Sequence, residues 1–186
     1  KNKANKNSNY KFYNGFVSFK LKKYNDIVVQ FENLLITPNM NNKLTPEQNL
    51  SMFEAYLESL YQTAEAPRFR KNAAALIYDL RVALSTSVEP LLERIEYLYI
   101  ESLAGDSKPD YKLLTQKTNE FIQENKSSNF LPRVNYLRGV SLVNNNAIEE
   151  GKEILKSLLE NKDVPEYIKG LARSELSTLI IEEKKI

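Results

Sequence analysis

The stretch Phe12-Tyr13-Asn14-Gly15-Phe16-Val17-Ser18-Phe19, continued by Tyr24-Asn25-Asp26-Ile27-Val28-Val29-Gln30-Phe31-Glu32-Asn33-Leu34-Leu35, decides the fold, because its pattern returns later in the chain. With a shift of 124 residues Phe12 falls on Tyr136, Gly15 on Gly139, Phe16 on Val140 and Phe19 on Val143. Tyr24 then falls on Ile148, Phe31 on Leu155, Leu34 on Leu158 and Leu35 on Leu159, with no gap. Apolar residues at spacings of three and four lie on one face of a helix, not on one face of a strand. Gly15 and Gly139 share that face. Glycine inside a helix costs roughly 0.5–1 kcal/mol relative to Ala, so its use twice in one register implies that a second helix approaches closely there. The competing account is chance agreement between two amphipathic helices.

Outward from these two hairpins the rest of the chain reads as helix after helix. The spacing predicts helices near 9–22, 24–36, 46–63, 67–85, 88–104, 109–124, 131–144, 147–160 and 164–183. Strand-like alternation is absent over any useful length, and the five Gly and seven Pro sit at punctuation points. Thr45-Pro46-Glu47-Gln48 has an N-cap hydroxyl, Pro at the first helical position and Gln three residues on. Asp163-Val164-Pro165-Glu166 repeats that logic with a carboxylate, Ser107-Lys108-Pro109-Asp110 is a weaker version, and Asn146 with Glu149 caps another helix. Short connections make neighbouring helices antiparallel. The expected class is therefore all-α, an α-solenoid of antiparallel helical hairpins with about nine helices. Its last helix, 164–183, is a C-terminal cap with an apolar face of Leu171, Leu176, Leu179 and Ile180 around Glu175. The polar opening KNKANKNSN leads to the expectation of a disordered leader over 1–8 and a single domain over 9–186, cut from a longer protein.

Phe12-x-x-Gly15-Phe16-x-x-Phe19 with Tyr24-Asn25-Asp26-Ile27-x-x-x-Phe31-x-x-Leu34 resembles a tetratricopeptide repeat. Tyr136-x-x-Gly139-Val140-x-x-Val143 with Ile148-x-x-Gly151-x-x-x-Leu155-x-x-Leu158 resembles a second copy. Gly151 fills the family's small position, while Ile27 is larger than usual there. Both copies are about one residue short at the turn within the hairpin, which leaves the register open by one. The stretch 45–125 matches only in helix length and rhythm, with starts spaced more widely than the family's 34 residues. The resemblance implies a concave surface, lined by the first helices, that binds a peptide or a partner helix. Carried over by register, its groove residues are Tyr10, Tyr13, Val17, Lys20 and Leu21, and then Val134, Leu137, Ser141, Asn144 and Asn145. The apolar ones have a second reading, as packing positions against the next hairpin.

Composition narrows the function. There is no His, Cys or Trp, so the commonest metal ligands, the easiest neutral-pH proton carrier and every thiol nucleophile are missing. No Gly-rich phosphate loop and no catalytic constellation is visible, and neither an enzyme nor a cofactor is expected. The net charge of +2 argues against a dedicated nucleic-acid binder. No run approaches the ~18 apolar residues of a membrane span. Arg68-Phe69-Arg70-Lys71 is a basic cluster that reads as an acidic-partner contact or as a solvated face, and with Arg81 it would form the stripe a nucleic-acid module needs. Tyr56, Tyr61, Tyr97 and Tyr99 suit interfaces or half-buried packing positions. The expected function is a protein–protein scaffold or adaptor in a larger bacterial assembly. The closing stretch from Pro165 to Leu176 resembles envelope tetratricopeptide proteins, including periplasmic scaffolds of flagellar motors, which implies a periplasmic location, with the cytoplasm as the alternative. An accessory helical domain of an envelope enzyme, or a regulatory nucleic-acid module, are the competing expectations.

Overall fold

The computed structural model describes residues 3–36, 45–63, 65–83 and 89–183. Among them run α1 (Lys3–Lys20), α2 (Tyr24–Ile36), α3 (Pro46–Gln62), α4 (Ala66–Ala83), α5 (Glu89–Ala104), α6 (Tyr111–Glu124), α7 (Leu131–Asn144), α8 (Ile148–Glu160) and α9 (Glu166–Glu183). No strand occurs among the described residues. The all-helical expectation holds, and the helices fall where the spacing placed them. The main difference is at the start. Helical backbone begins at Lys3, so residues 3–8 continue α1 instead of forming a separate leader.

Capping chemistry explains several boundaries. Thr45 and Gln48 close the expected capping box, with the Gln48 amide donating to Thr45 Oγ1 at 3.2 Å and the Thr45 amide donating to Gln48 Oε1 at 2.9 Å. Asp110, not Ser107, caps α6 by accepting from the Leu113 amide at 3.0 Å. α9 starts later than an Asp163 cap would place it, with the Pro165 carbonyl accepting from Ile168 and Lys169. Asn146 is not an N-cap. Ala147 occupies that position on α8, and Asn146 belongs to the end of α7.

That turn carries a repeat signature the side chains alone did not reveal. Among the described residues the non-glycine positions with positive φ are Lys22 (56°) and Asn146 (64°), which coincide under the 124-residue shift. At each, the first helix ends in a left-handed residue. The Lys23 amide reaches back to the Ser18 carbonyl at 2.9 Å, and the Ala147 amide to the Leu142 carbonyl at 2.9 Å. This is the closing pattern of a Schellman motif. Asn tolerates the left-handed region, whereas Lys does so at a cost of about 1–2 kcal/mol. Lys22→Gly is therefore expected to raise stability by about 0.5–1 kcal/mol, net of the flexibility Gly adds to the unfolded chain. Urea denaturation checks it, and Lys22→Ala as control should gain nothing. An unchanged midpoint for Lys22→Gly would mean that the turn does not hold this conformation in solution.

Where one domain over 9–186 was expected, the residues pack into two compact units, Lys1–Ile95 and Glu96–Ile186, with the boundary inside α5. In the first, α1 packs on α2 and α3, α2 on α3, and α3 on α4. Phe12, Ile27 and Phe31 are buried there with Met52, Leu57, Leu60 and Phe69. The opening turns of α5 reach α3 through Arg94, whose guanidinium donates to Glu54 at 3.1 Å and also pairs with Glu58. In the second, α6 packs on α7, α7 on α8, and both α7 and α8 on α9. Ile100, Leu103, Leu114, Phe121, Val134 and Leu137 form one core cluster, and Leu155, Leu158, Val164, Ile168 and Ala172 another, with Tyr136 touching both. The buried face of α9 is Ile168, Ala172 and Leu179, while Ile180, expected inside, is exposed.

Candidate functional site

In the second unit α5, α7 and α9 bring aromatic and charged side chains together. The Tyr97 ring on α5 stacks on Phe130 at the start of α7, with centroids 4.1 Å apart and planes 9° from parallel. Its hydroxyl donates to Glu101 Oε1 at 2.8 Å, one helical turn along. The same carboxylate receives Arg133 of α7 with both oxygens: Nε donates to Oε1 at 2.6 Å and Nη2 to Oε2 at 2.9 Å. Such a two-pronged pair fixes both side chains. The Arg133 guanidinium lies 5.3 Å from the centroid of the Tyr136 ring, a cation–π contact.

Burial and pairing hold the Tyr97 and Tyr136 phenols neutral and the Arg133 guanidinium charged. Burial pushes the Tyr97 phenol well above its usual range, and the Glu101 carboxylate that accepts its proton adds to the effect. Arg133 is held charged by Glu101 against the opposing cost of its own burial. Tyr136 is raised by burial first and then by the charge of Glu175 on α9. Tyr167 of α9 acts on Tyr97, and at 65% relative exposure it is the most open of these rings. At neutral pH the face therefore offers neutral hydroxyls, a fixed guanidinium and flat aromatic area. Tyr and Arg held in this way are the residue types that dominate protein-binding energetics, because little entropy is lost when they are covered. Among the described residues no group of three His, Cys, Asp or Glu side chains is placed to hold a metal ion.

The expected groove residues divide sharply. Tyr10, Tyr13, Val17, Lys20 and Leu21 are all exposed along α1 and its end. Asn144 and Asn145 are exposed as well. Val134, Leu137 and Ser141, in contrast, are buried at 0%, 5% and 0% exposure. They meet α5 and α6, with Thr115 Oγ1 of α6 donating to Ser141 Oγ at 2.9 Å. As packing positions they offer a partner nothing: Val134 and Leu137 are enclosed by the preceding helices α5 and α6, not by the next hairpin, and the polar Ser141 is enclosed with them. On α7, Arg133, Tyr136 and Val140, one place earlier, are of intermediate burial, as are Asn135, Arg138 and Val143. The one-residue ambiguity of the turn was the only signal of this.

Elsewhere the basic cluster is broken up. Phe69 is fully buried against Tyr61, and Arg68 pairs with Glu65 at 2.7 Å. The Arg81 side chain lies outside the described residues. No helix among the described residues is long and apolar enough to cross a membrane. No protein-family model, curated protein or solved structure matches this chain.

Proposed function

We propose that this protein is a scaffold that binds other proteins without chemistry of its own. The supporting observation is the face built by Tyr97, Glu101, Arg133, Tyr136 and Tyr167 on α5, α7 and α9. In this reading the helices of each unit are stacked hairpins of the tetratricopeptide kind, and the first helices of successive hairpins line the binding face. A fixed Arg flanked by flat, neutral Tyr rings recognises a protein segment that combines a carboxylate with apolar side chains. A periplasmic assembly of a bacterial cell is the setting we infer for it.

A photo-crosslinking amino acid placed at Tyr167 or Val140, and in parallel at Lys156 on the exposed side of α8, tests the proposal in cells. Discrete protein adducts are expected from the first two positions and not from Lys156. Adducts arising equally from Lys156, or none from Tyr167 and Val140, would reject this face as the binding surface.

A further inference from the structure

A second surface lies on α1, in the first unit. Tyr10, Tyr13 and Val17, and Leu21 just past the end of α1, are 68%, 59%, 57% and 61% exposed, and a spacing of three and four places the first three on one side of the helix, with Leu21 continuing their line. Elsewhere among the described residues large exposed apolar side chains are scattered: Val29 on α2, Tyr78 on α4, Ile148 on α8, and Tyr167, Ile180 and Ile181 on α9. Single exposed apolar residues are ordinary, but a continuous strip over three turns is not.

The internal repeat shows what covers such a strip. Under the 124-residue shift Tyr10, Tyr13 and Val17 become Val134, Leu137 and Ser141, the side of α7 that is closed off. An amphipathic helix covers it there. α6 presents Leu114, Thr118 and Phe121, all buried, at positions i, i+4 and i+7. It runs antiparallel to α7, since Thr115 near its start meets Ser141 near the other helix's end. The same helical register is therefore built into α1, with larger and more aromatic side chains than in the covered copy.

Charge identifies the occupant. Residues 1–23 contain seven Lys and no Asp or Glu. A second copy bringing its own α1 would set like charge against like charge, and among the described side chains no other helix shows a matching exposed apolar strip. We propose that α1 is the docking face for an acidic amphipathic helix of a partner protein, with apolar residues at i, i+4 and i+7 and carboxylates along both flanks. The helix lies antiparallel on α1 as α6 lies on α7. Opposite charge steers the encounter, and burial of Tyr10, Tyr13 and Val17 holds the complex.

The test uses the 186-residue protein and a designed helical peptide with Leu, Leu and Phe at i, i+4 and i+7 and Glu at its other exposed positions. A second peptide keeps the apolar residues and replaces each Glu with Lys. Fluorescence anisotropy is expected to show one-to-one binding of the acidic peptide, weakening as salt is raised. Binding should fall by about tenfold or more with Val17→Asp. Leu21→Asp, placed beyond the last turn of α1, should weaken it in the same direction without touching the helix. Equal binding of the Lys peptide, or no loss in either variant, overturns the proposal. So does binding only to phosphatidylglycerol vesicles, which would make α1 a basic membrane-surface helix. Self-association in sedimentation that Val17→Asp abolishes would show that a second copy is the occupant, and overturns it too.

Discussion

Leu137→Asp is expected to unfold the second unit, while Tyr13→Asp, at the equivalent place in the first hairpin, should leave stability within about 1 kcal/mol of the parent. The two positions share a register but not an environment. Leu137 sits at 5% exposure in the cluster formed by Ile100, Leu103, Leu114, Phe121 and Val134. A carboxylate placed there finds no charged partner among those side chains. It must either stay ionised in an apolar site or take up a proton, and both routes remove more than the lost Leu packing alone. An unpaired buried charge, added to a cavity-forming change, belongs to the rare class that costs about 4 kcal/mol or more. Tyr13 at 59% exposure already faces water, so an Asp there keeps its hydration. Circular dichroism melts give the comparison, with hydrogen exchange of α6 to α8 showing which unit is lost. A cooperative melt of Leu137→Asp within a few degrees of the parent would mean that α6 does not cover α7.

Helix positions were legible in the sequence because each helix here buries one broad apolar face, and periodicity reports that face directly. The division of the face was not legible. α7 is covered on two sides, by α6 and by α8, so Val134 and Leu137 fall beside Arg133 and Tyr136 on one wide stripe. Only the positions of both neighbours tell which residues are enclosed and which remain accessible. Periodicity within a helix cannot pair Glu101 with Arg133 either, since they lie on different helices and meet only after folding. The turn was half-legible. Asn146 is a residue type that accepts positive φ, but its proximity to Glu149 made it resemble an N-cap, and nothing in Lys22 announces a left-handed position. The close approach of two helices at Gly15 and Gly139 was legible because both fall in one register of the repeat, whereas Gly170, also inside a helix, has nothing within 4 Å of an added Cβ. In the structure, Gly15 faces the Phe31 ring and Gly139 faces Leu155.

The same reasoning makes Gly151→Leu the most damaging glycine substitution in the chain. A Cβ at residue 151 would stand 2.7 Å from the Gly139 carbonyl oxygen, 2.7 Å from Val143 Cγ2 and 3.0 Å from the Val143 amide nitrogen. Two of these three neighbours are backbone, which cannot swing aside as a side chain can. α8 would have to move off α7, and Leu155 and Leu158, buried on the same face of α8, would lose contacts with it. The expected cost is about 3 kcal/mol or more, at the upper end of the overpacking range. Gly139→Leu meets mainly the Leu155 side chain, at 2.9 and 3.0 Å, and should cost roughly 1–3 kcal/mol. Gly15→Leu is expected at the upper end of that range, because an added Cβ would stand 2.1 and 2.3 Å from ring atoms of Phe31, which is fully buried and has little room to turn. The two hairpins reach similar packing by different divisions of volume. The first places Ile27 where the second has Gly151, and Phe31 where the second has Leu155. Trimming Phe31 should therefore make room at Gly15, so Gly15→Ala combined with Phe31→Leu is expected to lose less stability than the sum of the single changes. Urea denaturation of the single and double variants provides the comparison. Gly151→Leu as stable as the parent would show that α8 does not approach α7 this closely, and the paired glycines would then have no packing role.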